Sequence, residues 1–152
     1  MEQPDRDRLD ELCCRHEIEQ VISSLARATD RRDPEAIRSC YHADAFDDHG
    51  AFQGSPAEFA EWVPKALAPF AATQHFLAPP RIERDGDIAH CETYCTAHHV
   101  FPPSDPGGER DSVMGRVKST ASGRTTPFTM PSSSAAATSV PVPSMRMPGT
   151  IC

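Results

Sequence analysis

The spacing of apolar residues changes near Thr73 from a helical period to a period of two, and this change constrains the fold most strongly. Before it, apolar residues recur at intervals of three and four, as on one face of a helix. After it, apolar and polar residues alternate, as in the strands of a half-buried sheet. The order predicts an α+β domain, with N-terminal helices packed on a curved antiparallel sheet.

Three helices are predicted from this spacing and from the residues that begin them. The first runs from about Asp7 to Thr29. The second, Pro34 to Tyr41, follows Asp33, which is a suitable N-cap before a proline at the first helical position. Ser55-Pro56-Ala57-Glu58 is a capping box that opens a third helix, which Pro64 should kink or break.

The strands are predicted from alternation and from turn residues. A short hairpin is expected around Gly50. Thr73 to Arg84 should form one strand, interrupted at a proline pair because proline cannot donate to a central ladder. A turn at Asp85-Gly86-Asp87 leads into a long strand, Ile88 to Phe101, and Asp111 to Arg116 begins another.

The composition changes abruptly near Val117. All 22 acidic residues and 12 of the 15 basic ones precede it, so residues 1–116 carry a net charge of −10. Residues 117–152 lack Asp and Glu and are rich in Ser, Thr, Pro and Ala, which is typical of low-complexity coil. We therefore expect a domain in residues 1–116, with its C-terminal strands missing or altered, and a tail in residues 117–152. The tail is either disordered or the product of a reading-frame change near Gly115.

The charge and the hydropathy exclude several classes of protein. A net charge of −7 argues against a general nucleic-acid binder and against a polybasic membrane binder. No apolar run approaches the roughly 18 residues of a membrane span, and the N-terminal segment is too acidic for a signal peptide. We therefore expect a soluble, cytoplasmic protein without nucleic-acid or membrane partners.

Three polar residues occupy places where such a fold normally prefers apolar ones. Asp30 ends the long helix, His75 lies in an apolar strand, and His98 lies in the long strand that follows. A histidine beside a carboxylate is held in one tautomer and can act as a general base near neutral pH. Each residue alone also fits a structural role, as a helix-end carboxylate, a hydrogen-bonded core histidine and a solvent-facing histidine.

A metal site is a rival interpretation for the segment before Gly50, which is crowded with histidine and aspartate. In a strand, Asp47 and His49 share one face while Asp48 points away, so few ligands converge. We therefore expect no metal site there and favour an acidic, solvated hairpin. The crowded residues are His42, Asp44, Asp47, Asp48 and His49.

Together these residues resemble the SnoaL-like branch of the nuclear-transport-factor-2-like superfamily, over about residues 7–116. The strand pair looks most similar to that of scytalone dehydratases. Members are cone-shaped α+β domains with a pocket between sheet and helices. The segments that carry the resemblance are RATDRRD, YHADAFDDHGAFQG and TQHFLAPPRIERDGDIAHCETYCTAHHVF.

The resemblance implies roles for individual residues. Asp30 and His75 match the Asp–His dyad of the family's dehydratases and dehydrohalogenases, and His98 matches a second pocket histidine. His49 stands where the dehydratase has a tyrosine that helps to polarise a substrate carbonyl. These matches imply that Asp30, His75 and His98 are catalytic and that His49 binds substrate.

Further pocket residues are expected from their positions near these groups. Phe46 and Trp62 would contribute apolar lining, whereas Glu92 and Tyr94 would either line the pocket or face solvent. The tyrosines that several relatives carry on the first helix are replaced here by other residues, which argues against an identical substrate. The replacing residues are Leu25 and Thr29.

The resemblance implies a lyase or isomerase: a dehydratase, cyclase or isomerase, needing no cofactor or metal, that acts on a small carbonyl compound. Polyketide-like or steroid-like compounds are the implied hydrophobic substrates, and a homo-oligomer, dimer or trimer, is the implied assembly. Two alternatives stay open. The chain could be a non-catalytic module for ligand binding or dimerisation, or an inactive, truncated member of the family.

Overall fold

A computed structural model describes residues 2–85, 88–106 and 111–124, the last range as main chain only. Three helices precede the main sheet, so the α+β prediction is confirmed. The helices are α1 (Gln3–Asp30), α2 (Pro34–Ser39) and α3 (Pro56–Leu67). The strands are β1 (Asp47–Asp48), β2 (Gln53–Gly54), β3 (Ala72–Leu77), β4 (Arg81–Asp85), β5 (Ile88–Val100) and β6 (Asp111–Arg124).

The second and third helices begin at the predicted residues because their caps form locally. The Asp33 carboxylate accepts hydrogen bonds from two backbone N–H groups in the first turn of α2. Ser55 and Glu58 form the predicted capping box, each side chain accepting from the other residue's backbone N–H. Of the kink or break predicted at Pro64, the break does not occur: α3 continues through this residue to Leu67.

Strand β5 is the central strand of the sheet. β3 and β4 pair one after the other along the same edge of β5, with Leu77 opposite Cys95 and Arg81 opposite Glu92. The expected interrupted strand is therefore two short strands separated at the proline pair. β1 and β2 form the predicted hairpin, in which Gly50 adopts a positive φ of 73°. Gly86 and Asp87 of the predicted β4–β5 turn lie outside the described residues.

Strand β6 pairs antiparallel with the other edge of β5 along its whole length, from Asp111 to Arg124. The strand that Asp111 to Arg116 was predicted to begin therefore continues past Arg116. Ser and Thr are compatible with a strand, and the first proline of this region is Pro127, so no proline ends the ladder before Arg124. The ladder has one register shift, between Thr96 and Ala97 of β5. The predicted nature of the tail beyond residue 124 concerns residues that the structure does not describe and stays a prediction.

The hydrophobic core lies between the three helices and one face of the sheet. α1 contributes an apolar stripe, and α2 and α3 cover it with Ile37, Phe59 and Val63. On the sheet side of the core, β4 contributes Ile82 and β5 contributes small side chains such as Ala89. Among the described residues, no helix is long and apolar enough to cross a membrane.

Candidate active site

The face of β5 that the helices cover is set by strict alternation. Residues at odd positions are buried, and residues at even positions are exposed or half-buried. This parity decides which histidine of the strand can enter an interior site. The buried set is Ala89, Cys91, Thr93, Cys95, Ala97 and His99.

The register of β3 against β5 places His75 on the same covered face. His75 pairs directly with Ala97, and directly opposed residues of an antiparallel pair project to the same side. α1 packs across this face, and its last residue, Asp30, meets His75. The structure therefore brings together Asp30 and His75, the pair that the family resemblance implies.

The contact between Asp30 and His75 is a dense hydrogen-bonded arrangement. His75 Nδ1 lies 2.7 Å from Asp30 Oδ1, and the His75 backbone N–H donates to Asp30 Oδ2 at 2.9 Å. The Thr73 hydroxyl donates to Asp30 Oδ1 at 3.1 Å. A carboxylate in the last turn of a helix meets the negative end of the helix dipole. These donors offset that cost and fix both partners, which leaves His75 Nε2 as the ring nitrogen that can act on another molecule.

The end of α1 is itself fixed, so that Asp30 keeps its position. Arg32 adopts a left-handed φ of 53°, unusual for a residue other than glycine, and ends the helix. The Asp33 N–H then donates back to the Ala28 carbonyl at 3.0 Å. The Arg32 guanidinium donates to the Phe70 carbonyl at 2.6 Å, which ties this turn to the chain just before β3.

A cavity of about 280 Å³ opens between the covered face of the sheet, α1 and α3. Most of its wall is apolar, and Trp62, Leu25 and Thr29 contribute to it. His49, His75 and His99 reach it from three separate strands or loops. The cavity is thus an apolar chamber with three imidazoles, one of which is held by Asp30.

The second pocket histidine is His99, and the placement expected for His98 is wrong. His98 pairs with Gln74 and therefore points to the opposite, open face of the sheet. His99 is 4% exposed, and its ring lies 6.1 Å from that of His75. The sequence prediction missed His99 because His98 and His99 are adjacent and lie on opposite faces of the strand. Only the position of the helices determines which face is covered.

His99 is held as a neutral ring. Burial lowers its pKa, and the nearby His75 lowers it further, while the Asp30 carboxylate partly opposes both effects. Its Nδ1 is buried without a hydrogen-bond partner among the described residues. Because a buried N–H without a partner is rarer than a bare acceptor, the ring proton is best placed on Nε2. The ring also packs against Phe70, with 4.5 Å between the ring centroids.

His49 also lines the cavity and belongs to a second histidine–carboxylate pair. Its Nδ1 contacts Asp47 Oδ1, and the Tyr41 hydroxyl donates to Asp47 Oδ2 at 2.6 Å. Asp47 is 0% exposed, so the expected solvated hairpin is wrong at this residue, because its two partners satisfy the buried carboxylate. Burial and the Asp47 charge raise the pKa of Tyr41 well above its usual range, which keeps the phenol protonated.

The remaining predicted pocket residues separate into two groups. Trp62 lines the cavity, as expected. Phe46 is substantially exposed and does not line the cavity. Glu92 and Tyr94 have the wrong parity on β5 and lie on the open face, where Tyr94 is 55% exposed. Of the two placements left open for Glu92 and Tyr94, the structure selects the solvent-facing one.

The described residues contain no group of three or more His, Cys, Asp or Glu side chains placed to hold a metal ion. Asp47 and His49 share one face, as their spacing predicted, and they contact each other. Cys95 reaches the cavity as a thiol, because burial and the Asp30 charge raise its pKa. The arrangement can thus hold an apolar molecule among imidazoles and exchange protons with it.

Comparisons with known proteins agree with this architecture. An uncharacterized protein of Mycobacterium tuberculosis, Rv2910c, is 27% identical over 107 residues, which cover 68% of this chain and 69% of that protein. The structure of a type 2 hexachlorocyclohexane dehydrochlorinase, LinA, is similar with a TM-score of 0.64 and 14% identity, covering 88% of this chain and 97% of that one. A provisionally assigned dehydratase of the NTF2-like family from Streptomyces avermitilis gives a TM-score of 0.62 and 18% identity, covering 79% and 97%.

These structural similarities establish a shared fold, since the identities are low. The family assignment comes from the sequence itself, in which residues 10–125 match the family described as SnoaL-like domain. The matched segment begins in α1 and reaches the end of β6, so it contains the cavity and both histidine–carboxylate pairs. The chain belongs to the SnoaL-like domain family and has the NTF2-like fold.

Proposed function

We propose that this chain is a cofactor-independent dehydratase, cyclase or isomerase that acts on a small hydrophobic carbonyl compound. The observation that carries the proposal is the 2.7 Å contact between His75 Nδ1 and Asp30 Oδ1 at the wall of an apolar cavity. A module that only binds apolar ligands has no need of a carboxylate that orients a half-buried histidine. Asp30 is also unfavourably placed at a helix C-terminus, which a purely structural role would avoid.

The reaction begins with removal of a proton from the carbon next to the carbonyl. His75 Nε2 takes this proton, while Asp30 keeps the proton on Nδ1 and stabilises the imidazolium that forms. His99, neutral and with its proton on Nε2, would hydrogen-bond the carbonyl oxygen as enolate charge develops there. The enolate then loses a β-substituent, closes a ring or is protonated at another carbon. His98 has no part in these steps, because it lies on the other face of the sheet.

The size of the cavity limits the substrate. The volume is about 280 Å³. It lies at the lower end of the range of small-molecule sites. Of the polyketide-like and steroid-like compounds that the family resemblance implies, this volume favours compounds with one or two rings. His49 and Trp62 would contact such a substrate.

Self-association through the open face of the sheet is part of the proposal. Three large apolar side chains, Phe76, Ile88 and Tyr94, are exposed on this face, and exposed apolar surface favours association. We expect a dimer or trimer, and we expect Tyr94→Glu to shift it toward the monomer mass in sedimentation velocity. A monomeric wild-type protein would contradict this part of the proposal and leave the catalytic part unaffected.

The catalytic proposal is tested with β-hydroxypropiophenone, which yields phenyl vinyl ketone when water is eliminated. We expect the wild-type protein to catalyse this elimination and His75→Gln to lower kcat/KM by about 10²- to 10⁴-fold, the usual contribution of a general base. Binding of propiophenone, which cannot eliminate, is followed by the fluorescence of Trp62, the single tryptophan of the chain. Its Kd should change little in His75→Gln, because glutamine has a similar volume and polarity.

The matched control is His90→Gln, the same substitution on the open face of β5. It should leave both the elimination rate and the binding of propiophenone unchanged. If the wild-type protein eliminates water from none of a panel of β-hydroxy ketones but binds propiophenone, the chain is a ligand-binding module. Equal rates for the wild type and His75→Gln would also contradict the enzymatic proposal.

A further inference from the structure

We infer that Tyr41, Asp47 and His49 form a second catalytic unit, in which His49 is the general acid that protonates the leaving group. The inference rests on the proposed function and deepens it, because it assigns the acid of the reaction whose base is His75. His49 is the catalytic residue of the unit, since it lines the cavity. Asp47 and Tyr41 are positioning residues, since they act on the substrate only through His49.

The geometry of this unit fits an acid. Asp47 is fully buried and has two partners, the Tyr41 hydroxyl on Oδ2 and His49 Nδ1 on Oδ1. The Asp47 carboxylate orients the His49 ring through Nδ1 and can stabilise positive charge on it. The Tyr41 phenol stays protonated, because its pKa is raised, and serves as a neutral hydrogen-bond donor to Asp47. His49 is therefore the partner of Asp47 that can carry a positive charge, and it is also the member of the unit that lines the cavity.

The position of the His49 ring is fixed on its other sides. It stacks on Phe59, with 4.4 Å between ring centroids and 24° between ring planes. The His49 backbone N–H donates to the Phe52 carbonyl at 2.8 Å, which holds the hairpin closed. With Nδ1 on Asp47, the ring presents Nε2 as its free nitrogen, as the His75 ring does.

The Asp47–His49 pair and the Asp30–His75 pair reach the cavity from different elements of the fold. α3 presents apolar side chains to this part of the cavity, namely Phe59, Trp62 and Val63. β3 and β5 present His75 and His99, and α1 contributes the Asp30 carboxylate behind His75. Asp30 is half-buried, with 21% of its side chain exposed, whereas Asp47 is fully buried. Each histidine is therefore held by its own carboxylate and reaches the same cavity, so one ring can take a proton while the other gives one.

In the elimination, one proton moves from the substrate to His75 and one moves from His49 to the leaving group. His75 Nε2 takes the proton from the α-carbon, and the C–H electron pair passes into the enolate. As the carbon–carbon double bond forms, the bond from the β-carbon to oxygen breaks, and the oxygen takes its electron pair and the proton from His49 Nε2. Water leaves, His75 is protonated and His49 is neutral. One proton lost from His75 to solvent and one gained by His49 restore the site.

The test uses two substrates with the same number of non-hydrogen atoms, β-hydroxypropiophenone and β-chloropropiophenone. Hydroxide needs a proton to leave, and chloride does not. We expect His49→Gln to lower kcat/KM for the hydroxy compound by about 10²- to 10³-fold and for the chloro compound by less than about threefold. His75→Gln should lower both rates, because both eliminations begin with removal of the α-proton.

The results of this test distinguish a failure of the acid role of His49 from a failure of the proposed enzymatic function. Equal losses on both substrates in His49→Gln would overturn the inference, because His49 would then serve binding or structure alone. An unaffected His49→Gln would overturn it too. If the wild type eliminates from neither substrate, the proposed function fails, and the inference fails with it. His49→Gln should fold, because 43% of the His49 side chain is exposed.

A second measurement does not depend on turnover. In wild-type protein with ¹⁵N-labelled histidine, His49 should carry a proton on Nδ1 that exchanges slowly because Asp47 holds it. Tyr41→Phe should weaken this protection by removing one of the two Asp47 partners, and Asp47→Asn should abolish it. A His49 ring without a proton on Nδ1 would overturn the inference.

Discussion

Replacement of Asp30 by asparagine is expected to lower kcat for elimination by about 10³-fold, within the range of general base catalysis. Three donors converge on the Asp30 carboxylate: the Thr73 hydroxyl, the His75 backbone N–H and His75 Nδ1. An asparagine NH₂ on the Oδ2 side would face the backbone N–H, two donors without an acceptor. On the Oδ1 side it would donate to Nδ1 and move the ring proton to Nε2. His75 could then no longer accept a proton from the substrate.

The control is Asp33→Asn, the same change three residues further along the chain. Asp33 caps α2, and asparagine is as good an N-cap as aspartate, so activity and stability should be unchanged. Both variants are measured for kcat at saturating β-hydroxypropiophenone and for unfolding in urea. An Asp30→Asn enzyme as active as Asp33→Asn would mean that the dyad does not orient the base.

Replacement of Phe59 by alanine is expected to lower the free energy of unfolding by about 3–5 kcal/mol, the usual cost of removing a buried phenylalanine ring. Phe59 is 1% exposed and joins α3 to the β1–β2 hairpin. Its ring lies within 6.1 Å of four others, measured between centroids. Removal leaves a cavity that these rings cannot fill together. The four rings belong to Tyr41, His49, Phe52 and Trp62.

Phe76→Ala is the matched control for this loss. Phe76 is 67% exposed on the open face of the sheet, so its truncation should change the free energy of unfolding by about 0.5 kcal/mol or less. Both values come from urea denaturation followed by circular dichroism, compared at equal protein concentration. A Phe59→Ala loss below about 1 kcal/mol would show that the aromatic cluster does not stabilise this part of the domain.

The starts of α2 and α3 could be predicted from sequence because their causes are local. Asp33 and Ser55 lie within three residues of the N–H groups they cap. The Asp30–His75 pair is not local, and it could be predicted only from the resemblance to a family. Nothing in the two segments by themselves shows that the end of α1 meets the middle of β3.

The face of β5 could not be predicted in the same way. Its exposed face carries the larger apolar side chains, Ile88 and Tyr94, whereas its buried face carries alanine, cysteine and threonine. Small side chains let the helices approach this part of the sheet, so size alone suggests the wrong face. The family resemblance implied His98 as the pocket histidine, and its neighbour His99 lies there.

The burial of Asp47 depends on partners that lie on both sides of it in the chain. Tyr41 precedes it by six residues and His49 follows it by two, and both bond its carboxylate. Sequence rules treat two successive aspartates before a glycine as solvated turn residues. They cannot anticipate that a phenol and an imidazole satisfy one of these aspartates inside the domain.

The two histidine–carboxylate pairs differ in how far apart their members lie along the chain. Asp47 and His49 are two residues apart, whereas Asp30 and His75 are 45 residues apart. The members of the first pair and Tyr41 lie within nine residues, so a few mutations could add this group to a related domain or remove it. The second pair exists only while α1 stays docked on the sheet. A partly folded chain in which α1 is undocked would therefore keep the members of the first pair close together and separate those of the second.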